Sequence, residues 1–237
     1  MSSGIYVATA GAIAQSNALD ATANNIANSA TTGFRADRVT FREALTAAKS
    51  ADVASVNNGA TTIDTQPGAL ASTGNQLDLA LEGDGMFSVN TPNGPRYTRA
   101  GNFRIDDENK LVTGDGHEVR GQGGTAIQLP PDVKSIQISA DGTVSADEVA
   151  VGKLELVRFK QPQLERQGGS LYLARGAQQA GDPPKVRQGM LEVSNVNVVR
   201  GVVDLVKVSR TYESLMRVIQ GYHDVESRAA RELGGPK

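Results

Sequence analysis

The sequence predicts an α+β protein in which N- and C-terminal helices pair as a coiled-coil-like domain and the middle of the chain forms an antiparallel β domain. Two observations carry this prediction. Apolar residues recur every seven positions near each end of the chain, as on helices that pack along a seam. Between the ends, short apolar runs alternate with Asn-Gly, Asp-Gly and Gly-Pro breaks, which are typical of β-hairpin turns.

The first predicted element is a helix within an N-terminal helical segment, residues 1–45. Ile5, Ala12, Leu19 and Ile26 lie seven residues apart, and Ala8 fills one of the intermediate positions. The seam is rich in small side chains, so a partner helix could approach closely. Alone it would be weak, because alanine buries little apolar area and isolated helices of this length are only marginally stable in water.

The middle of the chain is predicted to contain a linker and then the β domain. Residues 46–76 are rich in Ala, Ser, Thr and Asn without a strong period, which favours a linker or extended arm. Residues 77–186 form the predicted β domain, because their apolar runs are short and are separated by residues that tolerate positive φ angles. Since these strands and turns are local in sequence, we expect this segment to fold without either terminus.

The predicted C-terminal helical segment, residues 187–237, carries a matching apolar stripe. The repeat is formed by Val198, Leu205, Tyr212 and Ile219, with Val208, Leu215 and Tyr222 at the complementary positions. This stripe is bulkier than the N-terminal one and could cover it. The start of the helix is predicted to be weak, because Arg200 opposes the helix dipole in the first turn and Gly201 costs about 1 kcal/mol relative to alanine.

Composition excludes several classes of function. The 237 residues include 24 basic and 26 acidic residues, well mixed along the chain, with a formal net charge of -2. Because the chain has no block of basic residues, its charge pattern does not indicate nucleic-acid binding. The absence of cysteine excludes disulfides, thiolate catalysis and Cys-ligated metal sites. The N-terminus lacks the features of a Sec-type signal, and no run approaches the roughly 20 apolar residues of a membrane span, so we expect no membrane insertion.

Three features could suggest chemistry, and each has a simpler structural interpretation. The glycines of residues 121–126 precede a strand-like run and not the helix N-terminus that a phosphate loop needs, so turn glycines are favoured. Asp106–Asn109 lacks the glycine and glutamate of an EF-hand at the required spacing, which favours a hairpin tip. His117 and His223 have no ligand-spaced partner. The sequence thus predicts no catalytic residue, no metal site and no cofactor.

Four stretches, taken in chain order, carry a family resemblance. Near the N-terminus, Asn25-Ile26-Ala27-Asn28 is followed by Thr31-Thr32-Gly33-Phe34-Arg35. QPGALASTGNQLDLALEGDGMFSV, YTRAGNFRIDDENKLVTGDGHEVRG and GMLEVSNVNVVRGVVDLVKVSRTYES come after it. Together they resemble the signatures of the bacterial flagellar rod and hook proteins, in the same order and over most of the chain. The opening IYVATAGA and the modest length are most similar to the proximal rod subunits, with a distal rod or hook subunit as the alternative.

The resemblance implies a structural subunit and not an enzyme. Such a subunit would be exported by the flagellar type III apparatus without a cleaved signal peptide. It would then polymerise through its terminal helices, with other rod subunits and copies of itself, into the basal-body drive shaft that spans the periplasm. A hypothesis of a different class is a secreted β-rich enzyme whose helices serve only as a dimerisation stalk.

The resemblance also suggests a role for the asparagines near the end of the first helix. A helix that packs between subunits needs specificity, and an unpaired buried amide costs about 1–3 kcal/mol, which penalises a wrong register. We therefore predict that Asn24, Asn25 and Asn28 belong to the assembly interface together with the seam residues. For Asn28, a capping and turn role is the alternative. Residues 32–34, namely Thr32, Gly33 and Phe34, form the predicted turn after the helix.

Overall fold

The computed structural model describes residues 3–39, 61–159, 164–175 and 183–233. The first part of the predicted linker, residues 46–60, lies outside these ranges. The chain divides into two compact units, each built from separate segments. The helical unit comprises Met1–Ala27, Asp37–Asp64 and Asn197–Lys237, and the β unit comprises Asn28–Ala36 and Thr65–Val196. The α+β class predicted from the sequence is confirmed.

The helical unit contains two long helices and a short β-ribbon. Helix α1 spans Ser3–Ala27 and helix α2 spans Val198–Leu233. Strands β1 (Asp37–Val39) and β2 (Thr61–Ile63) pair antiparallel within this unit. Within the predicted helical segment 1–45, helix α1 ends at Ala27 and a turn begins at Asn28, whose carbonyl accepts the N–H of Thr31 at 3.1 Å, while residues 40–45 lie outside the described ranges.

Helix α2 begins with a well-formed N-cap, contrary to the weak start expected from Arg200 and Gly201. The Asn197 side-chain Oδ1 accepts the backbone N–H of Arg200 at 3.0 Å, and the Asn197 carbonyl accepts that of Gly201 at 2.8 Å. A side-chain cap of this kind contributes about 1 kcal/mol, which offsets the cost of the glycine. The expectation of a weak start considered the dipole and the glycine but not this cap, and fraying of the helix start in the free subunit stays a prediction.

The β unit consists of short antiparallel strands. They are β3 Leu70–Ser72, β4 Leu79–Glu82, β5 Met86–Thr91, β6 Gly94–Thr98, β7 Phe103–Ile105, β8 Leu111–Thr113, β9 Glu118–Val119, β10 Ile136–Ile138, β11 Thr143–Ala146, β12 Val149–Lys153, β13 Leu156–Val157, β14 Leu164–Arg166, β15 Leu171–Ala174, β16 Lys185–Gln188 and β17 Met190–Glu192. The largest sheet has the order β14-β15-β6-β5-β9-β8-β7, with β13 also paired to β5. A three-stranded sheet β10-β11-β12 and the pairs β16-β4 and β17-β3 complete it.

The apolar core of the β unit gathers inward-facing residues from these sheets. Leu79, Phe87 and Val89 are completely buried, and the ring of Phe87 meets that of Phe103 edge-to-face with centroids 5.1 Å apart. Aromatic pairs in this geometry contribute about 0.5–1.5 kcal/mol beyond the area they bury. The short apolar runs read from the sequence therefore become strands whose residues are buried in this core, as in β4, β5 and β8.

The β unit uses residues well outside the predicted range 77–186. Strand β3 lies in the predicted linker, and it pairs with β17, which lies in the predicted C-terminal helical segment. Gly189 separates β16 from β17 and has a φ of 76°, a conformation that glycine adopts at no steric cost. These strands are only three or four residues long and partly exposed, so their sequence shows no clear strand pattern.

The two loops that could have suggested chemistry are turns, as predicted. At the β7–β8 hairpin tip, one carboxylate oxygen of Asp106 accepts the N–H groups of Glu108 and Lys110, and Asn109 has a positive φ of 60°. Gly123 and Gly124 have φ values of 86° and 85° in the turn before Ala126. In both loops the backbone conformation is explained by local hydrogen bonds or by positive φ values, without a bound ligand.

Candidate functional site

The two helices of the helical unit pack antiparallel, with small residues of one opposite large residues of the other. A Cβ added at Gly4 would lie 2.5 Å from Tyr222 Oη, and one added at Gly11 would lie 3.4 Å from Leu215 Cδ1. Towards the other end of the pair the relation is reversed: a Cβ at Gly201 would lie 3.0 Å from Ile26 Cγ1. Glycine thus lets the helix backbones approach closely at three places, and this explains why Gly201 occurs in the first turns of α2.

The structure places most of the predicted seam residues on the contacting faces. Ala8 and Ala12 are buried on α1, and Ile5, Leu19 and Ile26 are partly buried. On α2, partial burial is found for Leu205, Val208, Tyr212, Leu215 and Ile219. Val198 and Tyr222 are more exposed, at 44% and 37%. The heptad pattern did not include Ala14 and Ala18, which are buried as well.

A second apolar surface of the helical unit remains exposed. On α2 it is formed by valines that lie off the seam at i, i+3, i+4, i+7 spacing, namely Val199, Val202, Val203 and Val206, and Val218 and Val225 are exposed on another side of the helix. Tyr6 and Val7 add exposed apolar area on α1. Beside this surface, a groove of about 560 Å³ is lined by residues of both helices, including Leu19, Ala23 and Val206. Exposed apolar area on this scale is typical of an interaction surface.

The three asparagines of the first signature have different environments. The side-chain amide of Asn25 donates to the Asp37 carbonyl and accepts the Asp37 N–H, both at 2.8 Å, and so fastens β1 to α1 within the helical unit. The Asn28 side-chain oxygen accepts the Thr31 hydroxyl at 3.2 Å, consistent with its alternative role as a turn residue. Asn24 is exposed on α1. Among the three, Asn24 has the side chain most open to a neighbouring molecule.

Within the β unit, the segment after α1 is held much more firmly than a surface turn. Gly33 has a φ of 66°, and its Cα lies so close to the backbone of Arg99 and Ala100 that no side chain would fit. Phe34 is 1% exposed, and the guanidinium of Arg166 lies 4.3 Å from its ring centroid. The residues predicted as a simple turn are therefore an anchor that inserts into the β unit.

A buried cluster of charges fixes the next residue of this segment. Glu192 Oε1 accepts Arg35 Nη2 at 3.3 Å and Glu192 Oε2 accepts Arg99 Nη1 at 2.9 Å, and all three side chains are almost fully buried. The Gly68 N–H donates to the same Oε1 at 3.2 Å. Burial lowers the pKa of Arg99 to about 10, so the guanidinium remains charged at neutral pH. Two cations thus share one carboxylate. We call Arg35, Arg99 and Glu192 the charge cluster.

Asn195 ties together three segments of the β unit. Its side-chain Oδ1 accepts the Ala36 N–H at 2.8 Å, its Nδ2 donates to the Gln66 carbonyl at 2.9 Å, and its backbone N–H donates to the Phe34 carbonyl at 3.3 Å. Phe34 and Ala36 belong to the N-terminal signature, and Asn195 belongs to the C-terminal one. The first and last segments of the β unit are therefore joined directly to the segment that enters at Thr65.

Sequence reasoning missed the charge cluster and Asn195, although both signatures contain their residues. Arg35 and Glu192 are 157 residues apart, and no local spacing links them. The only available signal was an arginine next to a buried phenylalanine and a glutamate between apolar residues. In the described ranges, no group of three or more His, Asp or Glu side chains could hold a metal ion. Neither described helix is apolar enough over a sufficient length to span a membrane.

Similarity to known proteins extends along the whole chain. Three family models match: Flagella basal body rod protein at residues 5–35, Flagellar hook protein FlgE/F/G D1 domain at residues 80–146, and Flagellar basal body rod FlgEFG protein C-terminal at residues 187–232. The chain is 34% identical to the Flagellar basal-body rod protein FlgF of Rhizobium meliloti (strain 1021), over 100% of both chains.

Two further relatives have similar identity. The FlgF protein of Salmonella typhimurium (strain LT2) is 35% identical over 98% of this chain and 99% of its own length. The Flagellar basal-body rod protein FlgG of Bacillus subtilis (strain 168) is 35% identical over 85% of this chain and 88% of its own length. The regions matched by the family models contain most of both helices, the charge cluster and Asn195.

Proposed function

The chain belongs to the family of flagellar basal-body rod proteins, and from this membership we propose that it is a structural subunit of the flagellar basal-body rod. In this role it would transmit motor torque through contacts with other subunits. The single observation that carries the proposal is the similarity over the full length of relatives that bear this name. The paired terminal helices and the anchored signature segments supply a physical basis for it.

We infer that the subunit polymerises through its helical unit. The paired helices leave a row of valines exposed on α2, from Val199 to Val206, where Val199 is 76% exposed and Val206 is 46% exposed. At about 25 cal/mol per Å² of apolar area removed from water, covering such a row with neighbouring helices would favour assembly strongly. The seven-residue spacing of Gly4 and Gly11 supports a coiled-coil-like pairing of α1 with α2. The predicted interface residues, Asn24 included, remain part of this proposal.

Within the rod, we propose a position like that of the proximal rod subunits, with a distal rod or hook role as the alternative. The proposal includes export by the flagellar type III apparatus without a cleaved signal peptide, and a final location in the periplasmic part of the basal body. A subunit that carries load through protein contacts needs neither substrate nor cofactor, so we propose no enzymatic activity.

The test is a deletion strain examined for where basal-body assembly stops, complemented with variants of the exposed row. Val206→Asp should leave the monomer folded, because Val206 is 46% exposed, but it should prevent rod assembly and swimming. Val149→Asp, at an exposed position of the β unit, is the matched control and should restore motility. A deletion strain with complete rods and normal swimming would refute the proposed function.

A further inference from the structure

A polar pocket of about 180 Å³ lies in the β unit, where the N-terminal anchor meets the ends of several strands. Thr32 comes from the anchor, Asn102 from the loop before β7, Asp115 from the turn after β8, and Ser170 from the turn before β15. Because Gly33 packs directly on the backbone of Arg99 and Ala100, the neighbouring Thr32 is held in place as one wall. The pocket is therefore built from turns and loops at the ends of strands, and its Thr32 wall is fixed by the packing of Gly33.

The side chains that line this pocket fall into two groups. The Thr98 hydroxyl accepts the Ala100 N–H at 3.0 Å, and the Thr113 hydroxyl accepts the His117 N–H at 3.1 Å, so both have a structural role. In contrast, the side chains of Thr32, Asn102, Asp115 and Ser170 make no hydrogen bond or ion pair with any part of the chain that the structure describes. Four polar groups from four different segments thus converge on one space without satisfying one another.

The chemistry of these four groups selects a cation with several hydrogen-bond donors. All four can accept hydrogen bonds, and Asp115 alone carries a charge. Among the described residues that line the pocket none is basic, and the carboxylate of Asp115 would repel an anion. The volume suits a single side chain. A guanidinium fits this set of acceptors well, because it offers five N–H donors together with the positive charge that complements Asp115.

We infer that this pocket receives an arginine side chain from a second copy of the chain during assembly. The inference rests on the proposed function, since it requires neighbouring copies. Helix α2 offers suitable donors in Arg200 and Arg217, whose side chains are 84% and 77% exposed. Their carboxylate partners on the same helix lie 3.9 Å away, at the limit of an ion pair, so exchange for the pocket costs little.

Titration of the full-length protein with ethylguanidinium tests the chemistry of the pocket. Amide NMR signals of Thr32, Asn102, Asp115 and Ser170 should shift and saturate, and the neutral, nearly isosteric ethylurea should give no saturable shift. Asp115→Asn should weaken the binding of ethylguanidinium at least about tenfold, since a charge-assisted hydrogen bond is lost. Equal responses to the two probes, or undiminished binding by Asp115→Asn, would overturn the inference.

An assembly assay tests the assignment to a second copy. Asp115→Asn should slow polymerisation followed by light scattering, whereas Asp107→Asn removes the same charge from an exposed hairpin tip and should polymerise like the wild type. If wild type and both variants polymerise alike, the pocket is not an assembly contact, although the rod proposal stands. If no protein polymerises, alone or with rod subunits, and the deletion strain swims, the proposed function itself fails.

Discussion

Replacing Glu192 by glutamine should destabilise the β unit severely, although glutamine has nearly the same shape as glutamate and only the charge is lost. The variant leaves Arg35 and Arg99 buried beside each other with no counter-charge, at side-chain exposures of 4% and 1%. Removing one partner from a buried ion pair typically costs about 3–5 kcal/mol, because an uncompensated charge remains out of water. For a protein of this size, that corresponds to a fall in melting temperature of roughly 6–20 °C.

The cluster also predicts an asymmetry between its members. It contains two cations and one carboxylate, so Arg35→Gln leaves a neutral Arg99–Glu192 pair at 2.9 Å. We therefore expect Arg35→Gln to cost about 1–3 kcal/mol, less than Glu192→Gln, because it removes hydrogen bonds without leaving an unpaired charge. The matched control is Glu82→Gln, which breaks an exposed pair with Arg187 and should cost less than about 1 kcal/mol.

Urea unfolding of the purified monomer at neutral pH, followed by circular dichroism in the β region, measures all three free energies of unfolding. The midpoint should move while the slope stays constant, which shows that stability and not the unfolded state has changed. If Glu192→Gln loses no more stability than Glu82→Gln, the charge cluster does not hold the β unit together. A larger loss for Arg35→Gln than for Glu192→Gln would equally refute the argument from net charge.

Three further predictions concern the helix seam, a strained turn and an acidic group. Leu215→Asp should remove amide hydrogen-exchange protection from α2, at a cost of at least about 1–3 kcal/mol, because a charge enters the contact with Gly11; intact protection would contradict the pairing. Glu148→Gly should raise the stability to urea by about 0.5–1 kcal/mol, because Glu148 has a φ of 70° at the second position of a two-residue hairpin turn, and Glu148→Ala should give no such gain. The pKa of Asp141 should be about 2, below its ordinary 3.8, because its carboxylate accepts hydrogen bonds from Lys153 and Thr143. Its contribution to stability should therefore be complete above pH 3.8 and be lost as the pH falls towards 2, and a carboxyl NMR titration of wild type and Lys153→Ala would detect the upward return of the pKa in the variant.

The helices and the β region could be predicted because their signals are local and periodic. The seven-residue repeat from Ile5 to Ile26 matches helix α1 within two residues at its start and one at its end. Turn dipeptides likewise marked real hairpins, as at Asp141-Gly142 between β10 and β11. In both cases the physical cause, a helical face or a positive φ, acts over a few residues and leaves its trace directly in the sequence.

The charge cluster could not be predicted in this way, because its contacts join distant parts of the chain. Glu192 meets Arg35 and Arg99 across separations of 157 and 93 residues, and a charged residue in isolation suggests solvent exposure. For the same reason the contacts of the β unit extend to segments outside the predicted range 77–186. A fragment of residues 77–186 would lack Phe34 and Glu192 and leave Arg99 buried without its carboxylate, so the independent folding expected from sequence loses its physical support.

The two units differ in how much of their stabilising contact is made within one subunit, and this difference bears on assembly. The β unit buries its apolar core and its charge cluster internally, and Glu192 and Asn195 bind the segments that begin and end it. The helical unit does not, because its seam on α1 consists largely of glycine and alanine, and the valines of α2 remain exposed. Little apolar area is therefore gained by pairing the helices within one subunit, against an ordering cost of about 1–2 kcal/mol per residue. In the proposed assembly, neighbouring subunits that cover the exposed row would supply the missing area, and the helices would then gain stability where the load must be carried. A force that reaches Ala36 or Asn195 then meets segments already fastened to one another by the Asn195 side chain. Such a force would be distributed over several strands of the β unit and would not separate one terminal segment by itself.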